Sequence, residues 1–310
     1  MPRPVLFDVD PGCDDAAMLA MALASEGIDV VGVTTVAGNA PLPDTTRNAL
    51  GVLDLLDRPE VPVVPGCDRP LVAPLETAED VHGAGGLPGE HPDPEIEPHD
   101  GAHGGDAVSF IRERSRAVGD LTLVATGPLT NVAAALAVDP DLPDRLDAIH
   151  VMGGAVRVGG NASAAAEYNL YADPEAAARV IRDASPRVVG LDVTERATLR
   201  PATIETFVKR GDALRTVAGW LAYDTPEAIE REGVARERPL HDPLVLVDLL
   251  ADALEYEPAA LAVDHGDGIS RGALLRDERA EAGEPNTEVA LEIDVAAFRE
   301  AALGLLESLP

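Results

Sequence analysis

The segment Asp8-Val9-Asp10-Pro11-Gly12-Cys13-Asp14-Asp15 closes an apolar run at residues 4–9 and opens an Ala/Leu/Met-rich stretch at 15–25. The apolar run predicts a buried strand, Pro-Gly a tight turn, and the stretch beyond it a helix with Asp14 and Asp15 in its first turn. Asp8 and Asp10 are two apart, so both project to one side of the strand's end. Four carboxylates thus fall within eight positions. At ~4 Å, two like charges repel by about 4 kcal/mol at an effective dielectric of 20, so something must offset them. Helix capping and the helix dipole account for Asp14 and Asp15. They do not account for Asp8 and Asp10, whereas a hard divalent cation bound through oxygen accounts for the whole group.

Outward from this segment, strand patterns at 29–36, 121–125, 148–152 and 187–191 alternate with helical patterns at 44–56, 104–118, 130–138 and 173–184. Such alternation predicts an α/β fold: an open, mainly parallel, Rossmann-like sheet flanked by helices, with ligands bound at the C-terminal ends of the strands. Residues 65–103 are rich in Gly, Pro, His and acids and read as a long functional loop. Residues 195–239 read as helices with an Arg/Glu-rich insert. Short strands near 260–263, 272–276 and 288–293 precede a final helix at 295–308. Neither an internal repeat nor a separating linker is visible, so one domain over 1–310 is expected.

The formal net charge is −31, and Lys209 is the only lysine among 24 basic residues. That balance excludes a basic nucleic-acid footprint. No apolar run approaches the roughly 18 residues of a membrane span, and residues 1–20 lack the order of a signal peptide. The expectation is a soluble, cytoplasmic protein without nucleic-acid or membrane partners. Cys13 and Cys67 are too few for a disulfide framework or a metal finger. A surface this acidic self-repels in dilute salt, whereas at ~1 M salt the Debye length is about 3 Å and the repulsion is screened. This predicts a halophilic protein, with a basic protein partner as the second reading of the charge.

Several sites have a plain structural reading beside a chemical one. Asp173-Pro174 and Asp242-Pro243 each read as an N-cap followed by Pro at the first helical position. Trp220 and Tyr223 read as helix-face packing. Asn161-Ala162-Ser163 fits a glycosylation sequon, but a site loop is the better reading without a secretion signal. An Asp-x-Asp after the first strand also occurs in haloacid-dehalogenase-type phosphatases. Gly12 and two further acids in place of the expected Thr or Val suit a cation better than a phosphoryl group. No P-loop is present.

The opening octapeptide resembles the N-terminal signature of the inosine–uridine-preferring nucleoside hydrolases. The resemblance continues through Thr34–Asn39, Pro65-Gly66-Cys67, Ala125–Asn131, Val151–Gly154, Asn161–Asn169, Asp173–Ala177 and His241-Asp242-Pro243, nearly the whole chain. It implies Ca²⁺-dependent hydrolysis of the N-glycosidic bond of ribonucleosides. Asp10, Asp15, the Thr126 carbonyl and Asp242 would bind Ca²⁺, with Asp10 as the general base that activates a water in the ion's shell. Asp14 and Asn169 would hold the ribose hydroxyls, with Asn39 reaching into the same site. Glu167 and Asn161 would contact the sugar, and Met152 would pack beside it. His241 would protonate the leaving base, and His82 would lie near that base. Relatives are commonly dimers or tetramers, so a homodimer or homotetramer is implied. A non-catalytic ribose- or nucleoside-binding protein on the same scaffold is the alternative from another class.

The charge balance alone makes one prediction: the melting temperature should climb as potassium chloride is raised. A fall with added salt would remove the halophilic reading.

Overall fold

The computed structural model describes residues 1–89, 92–99, 106–279 and 283–310. Its strands are β1 (Arg3–Val9), β2 (Ile28–Thr35), β3 (Val63–Pro65), β4 (Thr122–Ala125), β5 (Ala148–Met152), β6 (Arg187–Val189), β7 (Leu254–Ala259), β8 (Leu261–Val263), β9 (Leu274–Arg276) and β10 (Thr287–Ile293). Eight form one sheet in the order β3-β2-β1-β4-β5-β6-β10-β7, while β8 and β9 pair as a separate antiparallel hairpin. Neighbours in the large sheet run parallel, except β10 with β7 at the edge.

Side-chain alternation along β1 divides the core between the two faces of the sheet. Val5, Phe7 and Val9 pack with helices Cys13–Ala24, Asp212–Ala222, His241–Ala251 and Val295–Glu307. Leu6 packs on the other face with Ala107–Ala117, Thr130–Val138 and Pro174–Asp183. Helix Cys13–Ala24 is buried at every position but Ala24. It is apolar almost all round, as a helix covered on all sides must be. Truncating a fully buried Phe7 or Leu19 to alanine would cost about 2–5 kcal/mol.

The five strands and five helices expected in the first two-thirds are all present, within a few residues of their expected ends; positions 104 and 105 of the 104–118 helix lie outside the described residues. The strand expected at 187–191 stops at Val189, because Gly190 turns the chain into a short helix, Leu191–Thr194. β3 and β7 give no sequence signal. β3 is only Val-Val-Pro, and β7 is a charged edge strand exposed at several positions. In the segment expected as a long loop at 65–103, of which 90–91 and 100–103 lie outside the described residues, Glu79–His82 forms a turn of helix. No helix among the described residues is long and apolar enough to cross a membrane.

One buried group sets a pH limit on the fold. His150 in β5 is 1 % exposed, and neither ring nitrogen has a partner among the described residues. Burial, reinforced by the charges of Arg187 and Arg3, pushes its pKa down from 6.5 to about 4. A neutral His in the folded state beside a protonatable one in the unfolded state costs stability as pH falls through 6.5, levelling off below about 4. The loss amounts to roughly 3 kcal/mol, at 1.36 kcal/mol per pKa unit. Buried Asp8 and Asp15, with raised pKa values, gain stability over the same range, so the test is relative. In urea unfolding the stability of His150→Leu should rise against that of the wild type as pH falls from 7 to 4. A slope with pH equal to the wild type's would show that His150 does not carry the loss.

Candidate active site

The strand order reverses direction at β1, which lies between β2 and β4. In an open parallel sheet, the crevice outside the carboxyl ends at such a switch point is where ligands bind. Asp10 follows β1, Thr126 follows β4, Met152 ends β5, and Asn39 lies four residues beyond β2. Residues far apart in sequence therefore meet here because their strands all end on the same edge.

Asp10 and Asp15 are fully buried and Asp14 and Asp242 nearly so. The Asn39 backbone N–H donates to Asp10 Oδ2 at 2.7 Å, while Asp10 Oδ1 has no hydrogen-bond partner among the described residues. Gly38 can only be glycine here, since a Cβ built on it would collide with that same Oδ2. The Asn39 side chain donates to the Asp10 carbonyl at 3.1 Å and to Asp15 Oδ2 at 3.2 Å. Asp15 Oδ1 accepts from the Thr126 hydroxyl at 2.7 Å, and Oδ2 from the Gly12 N–H at 3.4 Å. Asp242 crowds against Asp15, and two buried carboxyls this close need a proton or a cation between them.

Asp14, Asp15 and Asp242 each bring an oxygen within 4.8 Å of the others. Burial first, then their mutual repulsion, drives the Asp10 and Asp242 carboxyls well above the usual range and Asp15 to about 7. Buried hard oxygens, an orphaned Asp10 Oδ1 and carboxyls that resist ionising fit a divalent cation. Asp8 does not join them. β1 ends at Val9, so strand alternation no longer aligns Asp8 with Asp10. Asp8 instead accepts from the Thr34 hydroxyl at 2.6 Å and Asn131 Nδ2 at 2.8 Å, tying β1 to β2 and to helix Thr130–Val138.

The segment 161–169 forms the opposite side. Glu167 caps the short helix Tyr168–Ala172. Its carboxylate accepts from the N–H groups of Asn169 at 3.0 Å, Gly154 at 3.0 Å and Leu170 at 3.3 Å. Asn169 Nδ2 donates to the Thr126 carbonyl at 2.6 Å and the Met152 carbonyl at 3.2 Å, so the oxygen expected to face a cation is held by Asn169. Asn161 is exposed at the rim, its Oδ1 accepting from the Tyr168 N–H at 2.9 Å. A cleft of about 440 Å³ opens between these groups, and Asp14, Asn39, Thr126, Met152, Asn161, Glu167, Asn169, His82, His241 and Asp242 all reach it. Asp10 and Asp15 lie beneath its floor, off the lining. A larger cleft of about 760 Å³ beside Trp220 and Leu87 holds none of these residues.

His82 is buried in its helical turn, its Nδ1 accepting from the Cys13 N–H at 3.1 Å. His241 Nδ1 meets the Thr194 hydroxyl at 2.8 Å. Burial lowers the pKa of both rings, against the pull of Asp14. Asp173 caps its helix through the Ala176 N–H, as its Asp-Pro pattern suggests. Asp242 does not cap: Leu240 holds that position, and the Asp242 carboxyl turns to the cluster.

Two cleft residues escape sequence reasoning. Tyr223 was expected on a helix face, but helix Asp212–Ala222 ends just before it, and its left-handed φ of 56° turns its ring to within 5.2 Å of His82. Trp220, one turn earlier, does pack in the core. Tyr168 lies inside a motif window and gives no signal of its own. Its hydroxyl has the Gly38 carbonyl at 2.7 Å and the Glu76 carbonyl at 2.9 Å, two acceptors sharing its one proton, the Gly38 oxygen the nearer.

Since the cluster must lose protons to hold a cation, the gain in melting temperature on replacing chelator by a divalent cation should be small at pH 5 and largest at pH 8. A melting temperature indifferent to the cation at pH 8 would show that these carboxylates hold none.

A family model described as inosine-uridine preferring nucleoside hydrolase matches residues 5–300. A pyrimidine-specific ribonucleoside hydrolase, RihA, of Klebsiella pneumoniae is 39% identical over 307 residues, covering 96% of each chain. Among solved structures, the purine-preferring ribonucleoside hydrolase from Gardnerella vaginalis is 30% identical with a TM-score of 0.88, covering 99% of this chain and 98% of that one. The plant nucleoside hydrolase PpNRh1 is 30% identical with a TM-score of 0.87, covering 100% of both. The phosphatase and the non-catalytic binding protein both give way to these matches. With its carboxylates gathered at the switch point and this likeness running end to end, the chain belongs to the inosine-uridine preferring nucleoside hydrolase family and is a ribonucleoside hydrolase.

Proposed function

We propose that the chain, as a single domain over 1–310, hydrolyses ribonucleosides to ribose and free base with Ca²⁺ as its cation and Asp10 as general base. The observation that carries this reading is the asymmetry of Asp10. One carboxylate oxygen is fixed by the Asn39 N–H, and the other is buried beneath the cleft without a partner among the described residues. Asp10, Asp15, Asp242 and the Thr126 carbonyl would hold the ion, an all-oxygen set of the kind calcium prefers. The Thr126 carbonyl has a second lone pair for the ion beside the one that accepts from Asn169. When bound, calcium supplies Lewis acidity that orients the ribose diol and acidifies water.

The chain's own residues do the rest. Asp10 Oδ1 takes the proton of the attacking water. Asp14 and Asn169 hold the 2′ and 3′ hydroxyls, while Glu167, Asn161 and Met152 keep the sugar seated with Asn39 beneath it. Positive charge grows on the ribose as the bond to nitrogen breaks, and the surrounding carboxylates stabilise it. The departing base needs a proton. Thr194 engages His241 Nδ1, which leaves Nε2 for that transfer. His82 and Tyr223, ring to ring at 5.2 Å, would wall the base. The acidic surface suits a salt-rich cytoplasm, and a homodimer or homotetramer is the proposed assembly.

A panel of purine and pyrimidine nucleosides, assayed for ribose with and without chelator in high salt, tests the reading. Asp10→Ala should lower turnover by about 10²- to 10⁴-fold with the fold retained. Turnover that survives in that variant, or that chelation leaves untouched, would overturn the roles given to Asp10 and calcium respectively.

A further inference from the structure

The Gly38 carbonyl and the Asn39 N–H belong to one peptide unit. The Tyr168 hydroxyl donates to its oxygen at 2.7 Å, and its N–H donates to Asp10 Oδ2 at 2.7 Å. In a trans peptide these two groups point to opposite sides, so the plane is held between a phenol and the buried carboxylate. No side chain intervenes at Gly38, where a Cβ would collide with the Asp10 oxygen. From the geometry we infer that Tyr168 is a positioning residue for Asp10, acting through the Gly38–Asn39 peptide.

Two physical effects support this assignment. Hydrogen bonds in series polarise one another, so donation to the carbonyl makes the N–H on the far side a better donor to Asp10. The same bond also fixes the rotation of the peptide plane, and with it which Asp10 oxygen is occupied and which stays free. Tyr168 is itself anchored: its backbone N–H is held by Asn161, and its helix is capped by Glu167. A second contact, to the Glu76 carbonyl at 2.9 Å, binds the segment that carries His82, and the Ala78 N–H donates to the Asn39 carbonyl at 3.2 Å. One hydroxyl thus joins three loops that follow different strands.

The inference rests on the proposed role of Asp10, and the experiment separates the two. Tyr168→Phe keeps the ring and removes only the hydroxyl. With a saturating nucleoside, kcat should fall roughly 10-fold, the scale of one net hydrogen bond. KM should stay within about threefold, because the sugar contacts are untouched. In chelated protein, where turnover plays no part, the amide of Asn39 should exchange with deuterium faster in the variant than in the wild type. A kcat within twofold of wild type, a loss carried by KM alone, or unchanged exchange at Asn39 would overturn the assignment. If Asp10→Ala remains active, the role of Asp10 fails and this inference with it. If Asp10→Ala is dead while Tyr168→Phe matches wild type, only the assignment of Tyr168 fails.

Discussion

Repulsion among buried carboxylates is the constraint around which the molecule is arranged. Asp10, Asp14, Asp15 and Asp242 crowd one end of the sheet, almost wholly removed from water. Water is the usual screen for such charges, and an isolated buried carboxylate answers by taking up a proton. Here the fold supplies substitutes: the amino end of helix Cys13–Ala24, the Asn39 amide and side chain, and the Thr126 hydroxyl. These donors lessen the repulsion without cancelling it. Asp15 still titrates near neutrality, and Asp10 and Asp242 are also driven well above the usual carboxylate range. The folded protein therefore carries a built-in demand for a proton or a cation, which is how a binding site stores affinity.

Asp8 shows how narrowly that demand is localised. Two residues before Asp10 and equally buried, it also rises, to about 6, chiefly through burial. Yet its Oδ1 has Thr34 and Asn131 as fixed donors and serves as a strut between strand and helix, although its Oδ2, like Asp10 Oδ1, has no partner among the described residues. The difference between a strut and a reactive group is one residue of strand. While the chain is in β1 its side chains alternate between covered faces. Once it leaves the sheet, the next carboxylate is free to turn into the crevice.

Precision at the site comes from polar groups that never touch the reacting atoms in the proposed chemistry. The Glu167 carboxylate gathers three backbone N–H groups, Thr194 sets the His241 ring, and the Tyr168 hydroxyl ties the Gly38 turn to the segment that bears His82. These contacts join loops to loops, where backbone periodicity offers no support. The sheet beneath supplies rigidity, and the polar layer above converts it into the placement of individual oxygens, as close catalytic geometry requires.

The sequence by itself determined the strand–helix alternation, the parallel sheet and the crowding of acids after β1, because each depends on local periodicity or on neighbours in the chain. The motif run from Asp8 to Pro243 was enough to suggest the family, and it brought forward the residues now found around the cleft. Only the tertiary structure decided that Asp8 leaves the cluster, that Asn169 holds the Thr126 carbonyl, that Tyr223 turns from helix face to cleft wall, and that Tyr168 reaches the Gly38 peptide. It also revealed β3 and β7, one too short and one too exposed to leave an apolar signature. The physical reason is the same throughout: these are contacts across tens of residues whose direction depends on where an element stops, and a one-residue change in that end point reverses which way a side chain faces.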